Sequence, residues 1–478
     1  MKKHFLLKII LPTVLTFTYL GIIYLNPYFN SMSFMNNIKT LSSPEYKGRL
    51  TGDEGAEKAA DYIEKQFNKI GLTPIGDNKT YIQKFNLNNV QLNGNCSFKA
   101  YDARGNLLKN YKYGIDYKEI CFGKCASGTI KGAVSSKISN KKPIYMFKEE
   151  MISEVDDIYK LDDVLMENSV KAAIYTTESQ FDFRTPYKLQ KKYQGGINKI
   201  MVNKEISKEI ETLSKAGATF EITTNTENKS VVGNNVVGMI KGRNSTLSPL
   251  IISSHLDHVG YDSDGKIYPG ALDNASGTSF VIEAARVLSK AEPERNIIFV
   301  CFDAEEVGLL GSQYFAKNPP VKIKDAKVIN FDMVASTKNI PLSVLSNDEN
   351  ELSTEILSIM NTLGVESNVL HMDNSDHASF DPFGIDAITL IHDDVDKIHS
   401  SIDTIKNVSE ERIFDVHKTL KAYMVKHKII DSNDFLVHPN IHAVEYFTRY
   451  IVLFLSLIYF LNILLFVKIY RKNKKSFK

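Results

Sequence analysis

The stretch 250–274, LIISSHLDHVGYDSDGKIYPGALDN, constrains the fold of this chain more than any other. Residues 250–252 are apolar and read as a short buried strand, which gives way at His255-Leu256-Asp257 to a loop. Pro269-Gly270 turns the chain. Asp273-Asn274 then precede Gly277, Val281, Ala284 and Leu288, whose spacing predicts an amphipathic helix over 276–290. Asp273 therefore falls in a strand-to-helix crevice, where open α/β sheets keep their ligands. An imidazole and carboxylates offered together are metal-ligand chemistry, suited to zinc with nitrogen and oxygen donors.

The same alternation continues downstream. Strands predicted at 235–240, 250–252, 296–302, 327–331 and 386–391 alternate with helices at 276–290, 308–317, 349–363 and 409–428. This pattern calls for an α/β fold with a mostly parallel, mixed central sheet and helices on both faces. Metal-type residues recur where the strands end: His255, Glu305 and Glu306, Asp332, and His399. Upstream, Ala56, Ala59, Ile63, Phe67 and Ile70 predict a helix stopped by Gly71. Between these parts the character changes to short β-like runs at 143–147, 172–175, 200–202 and 219–223, with a helical piece at 204–216. Residues 114–224 are accordingly expected to form a β-rich inserted domain between two parts of one core domain, 31–113 and 225–432.

Both ends of the chain are apolar with basic outer flanks. Residues 9–25 follow Lys2, Lys3 and Lys8, and residues 450–467 precede Lys468, Arg471, Lys472, Lys474, Lys475 and Lys478. Each run is close to the ~18–20 residues that span a bilayer as a helix. The expected layout is an N-terminal transmembrane anchor or signal at 5–27, a C-terminal transmembrane helix at 448–469 and a basic cytoplasmic tail at 470–478. The positive-inside rule then makes this a multi-pass protein of the cell membrane with the intervening chain extracellular. No small-x-small cleavage site follows Leu25, which favours an anchor over a cleaved signal peptide. A net charge of +2, from 58 basic and 56 acidic residues, argues against a nucleic-acid partner. Four cysteines are too few for a disulfide scaffold; Cys121 and Cys125 either pair outside the cell or stay as free thiols. Nothing in the sequence fixes an oligomeric state.

The strings HLDHVG, PGALDNASG, FDAEEVGLLGS, NFDM, SDHASF and HSSIDT, in this order and spacing, resemble the co-catalytic two-zinc aminopeptidase family. Relatives of that family include glutamate carboxypeptidase, glutaminyl cyclase and the transferrin receptor. SSPEYKGRLTGDEGAEKAADYIEKQF is similar to the family's N-terminal helix region. The resemblance covers roughly 35–85 and 232–428, and the insert is weakly similar to the protease-associated domain that many members carry.

The resemblance implies two Zn2+ ions, one held by His255 and Asp332, a second by Glu306 and His399, with Asp273 bridging. It implies that Asp257 accepts the other ring N–H of His255, and that Glu305 is the general base for a metal-activated water, passing the proton to the leaving amine. It also implies a cis peptide after Asp273. His377, in SDHASF, matches a site-lining position and is expected to contact substrate. His258, His371 and His392 read as loop residues or residues behind the ligands, and His4, His417, His427, His438 and His442 as surface or juxtamembrane residues. Some relatives place an oxyanion-stabilising tyrosine ahead of SDH; Met372 stands near that position here, so no oxyanion donor is named. The implied protein is a membrane-anchored extracellular zinc aminopeptidase acting on peptide substrates. Glutaminyl-cyclase-like acyl transfer and a catalytically inactive binding ectodomain are the alternatives.

Overall fold

The computed structural model describes residues 28–138, 142–147, 155–178, 181–184, 195–436 and parts of 452–464. Among these, twelve strands form one mixed sheet, and its four central strands, Ile297–Phe302, Leu250–His255, Lys327–Asp332 and Asp386–Ile391, are parallel neighbours in that spatial order. Their carboxyl ends therefore lie on one side. The apolar run of each strand alternates between two cores: Ile297, Phe299 and Cys301 pack in one, Ile298, Val300 and Phe302 in the other.

The larger core is covered by the helices Ser31–Leu41, Glu54–Ile70, Gly277–Leu288, Glu351–Thr362 and Ile413–Lys426. The opposite face is covered by the short helix Leu310–Lys317 and the turns around Phe380. Glu54–Ile70 buries Ala56, Ala59, Ile63 and Phe67, and Gly71 caps it in the left-handed conformation. Asn350 and Ser353 form a reciprocal cap on Glu351–Thr362. Gly277–Leu288 lies close against the sheet, and a side chain on Gly277 would put its Cβ 2.1 Å from the Phe331 carbonyl oxygen. The glycine of PGALDNASG is thus what lets this helix sit directly on the strand that ends in Asp332.

Several sequence expectations change in the structure. Two strands, Leu342–Ser346 and Ser367–His371, extend the sheet beyond Asp386–Ile391, the first running antiparallel to it. The expected boundary at 224/225 lies inside one continuous strand, Thr219–Ile240. That strand pairs with Ser97–Tyr101 and Ser127–Gly132 at its start, with Ile82–Leu92 along its middle, and with Ile297–Phe302 at its end. The insert builds a second sheet of five strands in which Asn198–Asn203, Ala172–Thr177 and Ile144–Met146 are parallel, with the helices Val155–Glu167 and Lys204–Lys215 beside it, so it is α/β rather than simply β-rich. Cys121 and Cys125 are buried and not joined in a disulfide, and Cys125 donates to the Ile120 and Phe122 carbonyls. His417 is buried against Phe29 and Phe435 instead of lying at the surface.

The N-terminal run at 5–27, the tail at 470–478, His4, His438 and His442 lie outside the described residues, as does most of 448–469. No helix among the described residues is long and apolar enough to cross a membrane.

Candidate metal centre

Four strand ends deliver the chemistry. Leu250–His255 ends in His255, and Lys327–Asp332 ends in Asp332. Glu305 and Glu306 follow Ile297–Phe302 through Ala304, which is held in the left-handed region at φ 65°, and His399, at φ 56°, follows Asp386–Ile391. A non-glycine residue held at such angles is strained backbone that packing must impose, as is common at functional sites. Asp273 enters from the turn before Gly277–Leu288, and the Asp273–Asn274 peptide bond is cis.

The seven residues expected from the sequence converge. His255 Nε2 lies 3.2 Å from Asp332 Oδ1 and 3.4 Å from Asp273 Oδ1. The other Asp273 oxygen, Oδ2, lies 3.2 Å from His399 Nε2, which in turn is 3.0 Å from Glu306 Oε2. Two donors each ~2.0–2.1 Å from one zinc at the tetrahedral angle stand about 3.3 Å apart. The separations match that edge on both sides of Asp273, so the donor set fits two zinc positions sharing one carboxylate. Glu305 groups with His255 and Asp332 on the first side. Burial drives the Asp273 carboxyl upward, but His258 and His399 beside it prevail and hold it well below the usual carboxylate range. Glu305 is raised well above that range, by burial first and also by Glu306, Asp376 and Asp332, with His255 opposing.

Asp257 does more than face the imidazole. Its Oδ1 is 3.7 Å from His255 Nδ1, too long for a hydrogen bond, while its two oxygens accept the backbone N–H groups of Glu305 at 3.1 Å and Glu306 at 3.2 Å. It thereby fixes the turn that presents both glutamates. Behind it Asp303 is raised to about 7 by burial and by Asp257, and the Thr51 hydroxyl reaches both acids. Asp403 accepts the N–H groups of Leu272 and Asp273. Ser375 donates to Asp332 Oδ2 at 2.8 Å, and Asn274 ties the bridging turn to Phe331 and Met333.

Arg49, 0% exposed, is the anchor of this arrangement. Its Nε donates to the Leu256 carbonyl, Nη1 to those of Leu41 and Pro269, and Nη2 to those of Gly270 and Asp273. All five N–H donors of the guanidinium are used, and they join the loop after His255 to the turn that carries Asp273. The insert contributes as well: the Arg184 N–H donates to the His399 carbonyl at 2.9 Å, and the Asp182 carboxylate pairs with Lys266.

Two histidines differ from the sequence expectation. His377 is buried, with Nδ1 2.8 Å from the Thr389 hydroxyl and Nε2 donating to the Met372 carbonyl; burial lowers its pKa to about 4, so it is a neutral strut and has no ring nitrogen left for substrate. His258 stands at the site itself, its Nδ1 3.0 Å from Glu306 Oε1. Its place directly after Asp257 in HLDH was the available signal, and the spacing alone gave it no role. Met372 is turned outward, and its N–H donates to Ser346.

Residues 235–424 match the model of peptidase family M28. This part of the chain is similar to that family. The matched segment carries all the candidate ligands, and the insert and both terminal runs fall outside it. Over 232 residues the chain is 28% identical to aminopeptidase YwaD of Bacillus subtilis (strain 168), covering 46% of this chain and 49% of that protein. It is 32% identical over 179 residues to leupeptin-inactivating enzyme 1 of Streptomyces exfoliatus, covering 36% and 39%. The chain thus spans about half the length of the first of these relatives and less of the second. In fold it is similar to BSAP, a zinc aminopeptidase from Bacillus subtilis, with a TM-score of 0.64 at 20% identity over 86% of this chain and 98% of that one. An aminopeptidase from Aneurinibacillus sp. strain AM-1 gives 0.61 at 21% identity over 86% and 96%.

Proposed function

We propose that the chain is a zinc aminopeptidase that removes N-terminal residues from peptides. The observation that carries this reading is Asp273 facing two donor sets at once, His255 with Asp332 and Glu306 with His399, beside a cleft of about 420 Å³ into which Glu305 opens. When bound at these donors, zinc supplies Lewis-acid polarisation of the scissile carbonyl and an acidified water. The chain's own part is to place and move protons. Glu305, held by its N–H on Asp257, takes a proton on its carboxylate and returns it to the leaving amine. The acidic wall offers a place for the substrate's α-ammonium, and Met333, Leu345, Ile391 and Ile398 give the cleft apolar surface for a side chain. Glutaminyl-cyclase-like transfer and an inactive ectodomain fit less well, because the bridging carboxylate, both outer donor pairs and the base are all present and converge.

Short peptides with free N-termini are expected to lose one residue at a time, N-acetylated versions to be poor substrates, and a chelator to abolish activity reversibly. Product mass against time checks this. Equal rates for the two forms point to an endopeptidase or amidohydrolase, and pyroglutamate from N-terminal Gln points to a cyclase.

The basic flanks of the two terminal apolar runs support a membrane anchor at each end, with the catalytic part outside the cell. Tags at both termini should then survive protease added to intact cells. Digestion of a C-terminal tag excludes this topology.

A further inference from the structure

The two donor sets are not equivalent, and the difference lies in His258. On the His255 side, the single imidazole of His255 meets only carboxylates: Asp332, one oxygen of Asp273, and Glu305, the group read as the base rather than as a ligand. On the other side, the His258 and His399 rings stand 5.7 Å apart and converge on the same carboxylates. His399 Nε2 is 3.2 Å from Asp273 Oδ2, and His258 Nδ1 is 3.5 Å from that same oxygen. Both nitrogens are 3.0 Å from Glu306, each on a different oxygen. Donors from all four residues lie within 4.8 Å of one another.

The His258 ring has no room to swing away. Its backbone N–H donates to the Arg49 carbonyl, and Gly270, at φ 57°, packs so closely that a Cβ there would stand 2.5 Å from the ring. The residue is 0% exposed. Zinc with four protein ligands is characteristic of closed, structural sites, whereas three ligands and an open position characterise catalytic ones. Two imidazoles with carboxylates also favour zinc over the oxygen-seeking ions, while one imidazole with carboxylates discriminates less.

We infer that His258 is a fourth protein ligand of the ion held by Glu306, His399 and Asp273, which makes that position a closed, slowly exchanging zinc site and leaves the His255–Asp332 position as the open, exchangeable one. This assignment rests on the zinc-peptidase reading, and it splits the labour of the two positions between holding the bridge and binding substrate.

The test is the time course of zinc loss from the full chain dialysed against dipicolinate, with zinc per chain measured by mass spectrometry. The parent should lose one equivalent quickly and the second at least about 10-fold more slowly, a ratio in the range that site-shaping histidines and their partners supply. His258→Ala should lose both at the fast rate. His258→Gln keeps a donor able to hydrogen-bond Glu306 but lacks an imidazole ligand, so it should behave like the Ala variant; if it retains the slow equivalent, His258 merely hydrogen-bonds Glu306 and the inference fails. Matching circular dichroism of the metal-free proteins excludes a folding defect, and a variant that fails this check is replaced by the cobalt spectrum of the parent, in which one tetrahedral and one higher-coordinate ion are expected and two alike overturn the inference. Single-phase loss from the parent also overturns it. A parent that binds no zinc overturns the peptidase reading itself.

Discussion

Glu305→Gln is expected to lower kcat by about 10²–10⁴-fold while leaving zinc content unchanged, the range typical for removal of a positioned general base. The glutamine is nearly the same size, and the backbone N–H of residue 305 can still donate to Asp257, so the turn that presents Glu306 stays in place. What is lost is the ability to accept a proton at a point beside His255 and Asp332. The amide has no basic lone pair for that task. Because the interaction is needed only as the proton moves, kcat and kcat/KM should fall together and KM should change little. Steady-state kinetics on a peptide with parallel zinc analysis decides it; turnover at the parent rate removes Glu305 from the role of base.

Arg49→Met should be the most damaging single change outside the ligands. It leaves the carbonyls of Leu41, Leu256, Pro269 and Asp273 facing an apolar chain in place of their donor, and that of Gly270 with the Ala275 N–H alone. Each buried group left unpaired costs about 1–3 kcal/mol, and even with partial relaxation the total should reach ~3 kcal/mol or more. For a domain of this size that corresponds to a fall in Tm on the order of 5–10 °C. The loss should also reach function, since Asp273 and the loop after His255 are tied to each other through this one side chain. Arg49→Lys should recover only part, because an ammonium cannot serve carbonyls spread along a planar fork. Thermal melts with and without added zinc measure both effects, and a variant that melts with the parent and binds zinc equally well removes the anchor role.

Candidate ligands stood out because most of them lie at or just beyond the end of a strand with a strong apolar pattern, so position and side-chain chemistry coincide, while Asp273, in a turn before a helix, and the individual roles came from the resemblance of the motifs to the family. His255, Glu306 and Asp332 all have that double mark. Arg49 has neither, since its partners are backbone carbonyls and these carry no side-chain signature. Thr51, Ser375 and Asp403 are hidden for the related reason that their partners lie tens to hundreds of residues away. His258 differs: it adjoins the motif, but what tells it apart from a loop histidine is three-dimensional, its Nδ1 facing Glu306 and Asp273 and Gly270 packing against its ring. The long strand Thr219–Ile240 was read as two separate pieces because its middle, NTENKS, is polar and one side of that stretch is exposed. The edge strand Ser367–His371 is short and half-exposed, so alternation gave little contrast.

The reach of Arg49 also sets an order of events during synthesis. A ribosome releases the chain from its N-terminus, so the guanidinium emerges some two hundred residues before the carbonyls of Leu256 to Asp273 that it will hold. Ile82–Leu92 likewise waits for residues 226–236 before it gains its ladder. Ser31–Leu41 and Glu54–Ile70 can coil into helices early, but they have no sheet to lie on, and Arg49 between them has no partner for its charge, until the insert has passed through. Residues 31–92 therefore cannot reach their native packing until the chain through Asp273 has been made, although they emerge long before it.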